Sequence, residues 1–199
     1  EPAFVLHVMN ADGTGLRQIS FNQSHDLDPS VLDDGRIVFS RWENAGPNNE
    51  INLYAVRPDG TQLELLYGAQ SHATGTDESD VHFLEPRPAA NGRLLVRAQP
   101  FQPSDRGGQL LEIDVANYVE NTQPTLPNRG VLAGPAQLPA TVNDVTTLEG
   151  PSPGGRYGAS FPLRDGTDRL LVSWTQCRLL EDGRIVPCTE DRLATGTAV

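Results

Sequence analysis

The chain has 199 residues, with 15 Lys and Arg against 26 Asp and Glu, for a formal net charge of −11. That sign repels phosphate backbones and excludes nucleic-acid binding as a function class. With 19 Gly, 16 Pro and a single Met, the composition suits short strands and turns better than long helices, and no apolar run is long enough to span a bilayer.

Glu1-Pro2 stands close to a strand-like FVLHVM, so the sequence reads as a mature or excised segment. LHVMNADGTGLRQIS then gives a strand, an Asp12-Gly13 turn and a polar strand. Next comes HDLDPSVLDDGRIVFSRW (25–42), a His-x-x-acid-Pro element followed by a Gly turn, an Arg and an apolar strand. INLYAVRPDGTQLELLY (51–67) repeats the opening pattern, and HFLEPRPAANGRLLVRAQ (82–99) repeats the second. QLLEID (109–114) follows, and FPLRDGTDRLLVS (161–173) carries a third Pro-x6-Arg spacing after Pro29–Arg36 and Pro86–Arg93. In that alignment Gly158 and Phe161 occupy the His and acid places, and Val186 marks a third-strand core, as Leu53 and Leu110 do.

Each unit thus reads as four short antiparallel strands, the pattern of a propeller blade, whose faces are buried only by stacking on neighbours. The expected fold is all-β, a partial propeller of about three and a half blades. Blade parts fall at about 1–24, 25–70, 80–135 and 155–199, with insertions at about 68–80 and 117–156. Closed propellers hold about 4–8 blades, so an open arc of this size is expected to self-associate or to belong to a larger ring.

LHVMNADGTGLRQIS with DPSVLDDGRIVFSRW resembles the WD40-like repeat of TolB-type periplasmic propellers, well over residues 4–67, less so to about 116, and in part over 157–188. More loosely, SFPLRDGTDRLLVSWTQC is similar to the propeller region of hydrazine synthase alpha-subunit-like proteins, although the Cys-x-x-Cys-His haem motif is absent. The first resemblance implies a non-catalytic binding or scaffold module of an exported protein. The second implies a propeller segment of a larger enzyme.

In CRLLEDGRIVPC, the Asp182-Gly183 turn suits a two-residue hairpin. Counting outward places Cys177 opposite Cys188, close enough for a disulfide, the alternative being two reduced thiols face to face. A disulfide implies an oxidising compartment, periplasmic or extracellular.

His25 and His82 each precede an acid, Asp28 and Glu85, by three residues. Imidazole and carboxylate are ligands for a divalent transition metal, and these four residues form the candidate metal site. The competing reading is structural, with the acid capping a turn and the His packed beside it. His72 lies near Asp77, Glu78 and Asp80 in an inserted loop without calcium-loop spacing, and reads as solvated. The Asp-Gly pairs read as turns. No G-x-S-x-G element occurs, and the sequence assigns no catalytic residue and no resident cofactor. The expected partner is a protein or small polar ligand held on the insertion face or the channel rim.

Overall fold

In the computed structural model, residues 2–100, 107–193 and 197–198 are described. The chain opens with a hairpin of β1 (His7–Val8) and β2 (Arg17–Gln18). Its tight turn is held by Asn10 N–H to Thr14 O and by Asp12 Oδ1, which accepts both the N–H and the hydroxyl of Thr14.

Apolar residues then alternate with polar ones through β3 (Asp26–Val31), β4 (Ile37–Ala45), β5 (Asn48–Val56) and β6 (Glu64–Tyr67). These form a four-stranded antiparallel sheet in chain order, the first blade. The turn from β5 to β6 copies the opening one: Arg57 N–H bonds Thr61 O, and Asp59 Oδ1 accepts both groups of Thr61. The β1–β2 hairpin is therefore the outer half of a blade, the counterpart of β5–β6.

The second blade uses β7 (His82–Pro88), β8 (Leu94–Gln99) and β9 (Gln109–Ile113). The chain next makes a small hairpin, β10 (Tyr118–Glu120) and β11 (Gln123–Pro124), before β12 (Gln137–Pro139) adds to β9 as the fourth strand. That strand lies inside the 117–156 stretch read as an insertion. The DVAN turn does not lead straight into it, because the chain first loops outward.

A third unit begins with β13 (Arg156–Pro162) and β14 (Leu170–Thr175), which form a two-stranded sheet. β15 (Arg178–Glu181) and β16 (Arg184–Pro187) form a separate hairpin. A short helix, α1 (Glu190–Leu193), leads to β17 (Thr197–Ala198) on the other edge of β15. Val186 therefore pairs with Leu179 in this small sheet and is not a third blade strand.

The third copy also changes register. In both complete blades the first hairpin closes from Val31 to Ile37 and from Pro88 to Leu94, but in the third from Pro162 to Leu170, a longer loop. Pro162 thus matches Val31 and Pro88, not Pro29 and Pro86. The bulges confirm the shift. They fall at Asp28-Pro29, Glu85-Pro86 and Gly158-Ala159, so Gly158 stands in the acid's place and Gly155 in that of the His.

The blades stack through three apolar clusters. Leu6, Ile19, Phe39 and Val56 join the opening hairpin to the first blade. Val38, Leu53, Tyr67, Phe83, Leu94 and Val96 join the first blade to the second. Leu95, Leu110, Val145 and Tyr157 join the second to the third unit. Each complete blade is buried on both faces, as its pattern requires. Among the described residues no helix is long and apolar enough to cross a membrane.

Candidate functional site

His25 and His82 sit where a blade's inner strand meets the blade before it. Nδ1 of His25 accepts the backbone N–H of Phe4 at 3.1 Å, and Nδ1 of His82 accepts that of Ile51 at 3.0 Å. Phe4 and Ile51 occupy the same place in their units, two residues before Leu6 and Leu53. Phe4 precedes β1, and β6 pairs with β5 only over Leu53–Ala55, short of Ile51, so the imidazole supplies the acceptor at these amides. The two His are equivalent because they latch equivalent seams. The His25 ring lies between Phe4 and Trp42, stacked on the indole at 5.4 Å between centroids. His82 is buried, and burial, helped by the nearby His72 and opposed by Asp80, pulls its pKa down to about 4.

At the third seam the same N–H belongs to Gly108. It bonds directly to Tyr157 O at 2.9 Å, and Tyr157 N–H returns to Gly108 O at 3.0 Å. The backbones meet without an intervening ring because Gly107 and Gly108 carry no side chain. A Cβ on Gly108 would lie 2.1 Å from Ala98 O, and one on Gly107 2.6 Å from Tyr157 O. The third copy therefore needs no His.

Asp28 and Glu85 are brought together on neighbouring inner strands. Both occupy the left-handed region, with φ of 54° and 53°, at their bulges. Such a backbone costs a non-glycine residue roughly 1–3 kcal/mol and is held by its surroundings. Here Asp28 Oδ2 accepts the Glu85 N–H at 3.3 Å, and Arg97 pairs with Glu85 at 2.8 Å. Burial pushes the Glu85 carboxyl up against the opposing charge of Arg97. Asp28, Glu85 and Arg87 line one side of a groove of about 470 Å³, with Ser160, Phe161 and Leu171 opposite. Charged groups of both signs beside an apolar wall can orient a small polar ligand.

The four candidate metal residues thus divide. The two acids meet at the groove, while each His lies in its own seam with Nδ1 taken by a backbone donor. Among the described residues no three His, Cys, Asp or Glu side chains gather as a metal-binding group.

His72 was read as solvated and is instead buried. Its Nδ1 donates to Val81 O at 2.5 Å, and Nε2 lies 2.9 Å from Asn52 Oδ1 and 3.6 Å from Glu50. Asn52 in turn donates to Glu43, which also accepts the Tyr54 hydroxyl at 2.5 Å. Nothing in GAQSHATGTDESD signals this, because its partners lie on β5 and in the adjoining loop.

Cys177 and Cys188 form a disulfide across the β15–β16 hairpin, with Cα atoms 5.6 Å apart. The hairpin register runs from Arg178 opposite Pro187 to Glu181 opposite Arg184, as counted outward from Asp182-Gly183.

The excursion between β9 and β12 is anchored at its base. Ser71 donates to Glu120 at 2.6 Å and accepts the Asn121 N–H, while Gln137 donates to the Tyr67 hydroxyl at 2.8 Å. Its far end displays Leu126 and Val131, 75% and 76% exposed.

Comparison with solved structures then places this architecture. Hydrazine synthase from Kuenenia stuttgartiensis superposes with a TM-score of 0.56, at 19% identity, over 80% of this chain and 18% of that one. The fold is propeller-type. The chain spans less than a fifth of the hydrazine synthase chain, and likeness at this identity concerns the fold alone. No family model and no curated protein matches the sequence, so the TolB-type pattern stays a resemblance.

Proposed function

We propose that the chain is a non-catalytic binding and scaffold module of an exported protein, resembling TolB-type propellers, and that it presents the β9–β12 excursion to a protein partner. The observation that carries this is an apolar display on a fixed mount. Leu126 and Val131 project into solvent from a loop whose base is hydrogen-bonded to Tyr67 of the first blade and to Ser71 in the link that follows it. Exposed apolar groups on a loop held by a rigid scaffold mark interaction sites. The disulfide supports a periplasmic or extracellular setting.

The test uses surface changes, because deleting the whole stretch would remove β12. The full chain and its Leu126→Asp/Val131→Asp variant are immobilised and exposed to an extract of exported proteins. A protein retained by the first and lost by the second, with unchanged circular dichroism, is the expected result. Equal retention by both would sink the reading.

A second reading rests on the likeness to hydrazine synthase: a propeller segment of a larger enzyme, whose chemistry needs residues beyond this chain. Under it, His25 and His82, with Asp28 and Glu85, would offer metal ligands. Metal analysis of the purified chain beside His25→Ala and His82→Ala variants tests that. A stoichiometric metal lost in the variants favours it, and none in the parent opposes it.

A further inference from the structure

The Arg just before the second strand occurs in all three units, and its surroundings differ. In the first blade Arg36 is held by two acids: Nε donates to Asp34 Oδ2 at 2.7 Å, and Nη1 donates to Glu64. In the third unit Arg169 Nη2 donates to Asp165 at 2.7 Å and Nε to the Thr167 hydroxyl at 2.8 Å.

In the second blade both acids that hold Arg36 are replaced. Asn91 stands in the place of Asp34. Its Oδ1 still accepts the Arg93 N–H at 3.0 Å, as the turn requires, but its amide donates to Glu112 at 2.9 Å. The place of Glu64 follows from the ladder. Val38 faces Ala55 and Ala55 faces Glu64, while Leu95 faces Glu112 and Glu112 faces Leu138. Leu138 therefore replaces Glu64.

One carboxylate remains near Arg93. Asp114 lies 3.8 Å from Nη2, beyond hydrogen-bond reach, and both its oxygens accept from Asn117. Arg93 Nη1 is buried with no acceptor among the described residues. A buried charged donor left without an acceptor is costly and uncommon in a folded protein. Arg93 also lines a second groove, of about 250 Å³, between the first two blades. The apolar wall of this groove is Leu32, Leu66, Leu94 and Val115. Asp33 and Asp34 line it too, but each is already paired, with Arg164 at 2.8 Å and with Arg36 at 2.7 Å.

We propose that this groove binds a small monocarboxylate with a short apolar body, the carboxylate on Arg93 and the body against Leu32, Leu66 and Val115. A planar guanidinium matches the two oxygens of a carboxylate. One cation balances one negative charge, and the neighbouring Asp33 and Asp34 oppose a more highly charged head such as phosphate. The groove is smaller than the ~300–1,000 Å³ of pockets for drug-sized ligands, so its occupant is small.

Titration of the isotope-labelled full chain with isocaproate, followed by amide chemical shifts, tests this. Saturable shifts clustered at Leu32, Leu66, Arg93 and Val115 are expected at millimolar ligand. Isohexanol keeps the body without the charge, and acetate keeps the charge without the body. Each should bind at least about tenfold more weakly. Asn91→Asp/Leu138→Glu gives Arg93 the two carboxylates that Arg36 has, and should weaken isocaproate binding by a similar factor with unchanged circular dichroism. Ala116→Phe, which fills the groove from an exposed position, should do the same. Arg169→Gln should bind as the parent does. The proposal is overturned if no saturable shifts appear at the groove, if isohexanol binds as well as isocaproate, or if the folded Asn91→Asp/Leu138→Glu chain binds undiminished.

Discussion

The imidazole Nδ1 of His82 accepts the backbone N–H of Ile51, and both residues are buried. Replacing His82 with Leu keeps an apolar ring-sized filler but leaves that donor without an acceptor. An unsatisfied buried backbone donor costs about 1–3 kcal/mol. Urea unfolding of His82→Leu should show a loss of that size. His25→Leu should lose less, because the Phe4–His25 pair lies at an exposed position that water can reach. An equal loss at both sites would argue against the latch as the cause.

The same histidine sets a pH dependence. Its pKa falls from 6.5 to about 4 on folding, chiefly through burial, with the charge of His72 adding to the effect and Asp80 opposing it. The folded state therefore favours the neutral ring. Stability from this group is fully present above pH 6.5 and is lost as pH falls toward 4, because only the unfolded chain takes the proton in that window. The loss should be about 2 kcal/mol after allowing for residual solvent screening. Comparing urea midpoints at pH 7 and pH 5 for the chain and for His82→Gln checks this. The variant should lose markedly less stability over that interval.

Gly108 carries the third seam by contact of backbones. A methyl group there would meet Ala98 O at 2.1 Å, and that oxygen belongs to a strand that cannot yield. Gly108→Ala should therefore cost more than about 2 kcal/mol, in the range of overpacked cores. Gly92→Ala gives the comparison, since a Cβ there meets nothing within 4 Å, and its cost should come from its positive φ of 78° alone. Thermal unfolding of the two variants separates close approach from backbone strain.

The blade pattern was legible because turn chemistry is local. Asp12-Gly13, Asp59-Gly60 and Asp182-Gly183 mark hairpins through residues two or three apart, and the Cys177–Cys188 pairing followed by counting strand positions. The third unit misled because Pro162 and Arg169 keep the repeat's spacing while the loop between them is longer, which moves the bulge to Gly158-Ala159. Spacing reports residues along the chain, not pairs across the ladder. The role of the His-acid prefix was illegible for a related reason. Its partners, the Phe4 and Ile51 amides, belong to the preceding unit, and an amide carries no sequence signature.

Asp26 and Arg41 form a buried pair in two contacts, 2.8 Å and 2.9 Å, with the guanidinium over the rings of Phe39 and Tyr54. Removing one partner strands the other charge in the seam between the opening hairpin and the first blade. Breaking a buried pair from one side costs about 3–5 kcal/mol. Arg41→Met should lose stability on that scale, whereas Arg169→Met, at an exposed pair with Asp165, should lose under about 1 kcal/mol. A double variant Asp26→Leu/Arg41→Met should recover much of the first loss, since no isolated charge remains. Chemical denaturation of the three variants measures it.

The Cys177–Cys188 bond acts on one small sheet. β15, β16 and β17 pair with no other described strand, so opening them need not disturb the complete blades. The cross-link joins positions 11 residues apart. Closing a loop of that length restricts the unfolded segment by about 2–3 kcal/mol. Reduction should therefore raise hydrogen exchange across Arg178–Pro187 about a hundredfold while amides of β4, β5 and β8 keep their protection. Exchange read by mass spectrometry before and after mild reductant decides it. Uniform loss of protection throughout the chain would mean that the small sheet and the blades unfold as one cooperative unit.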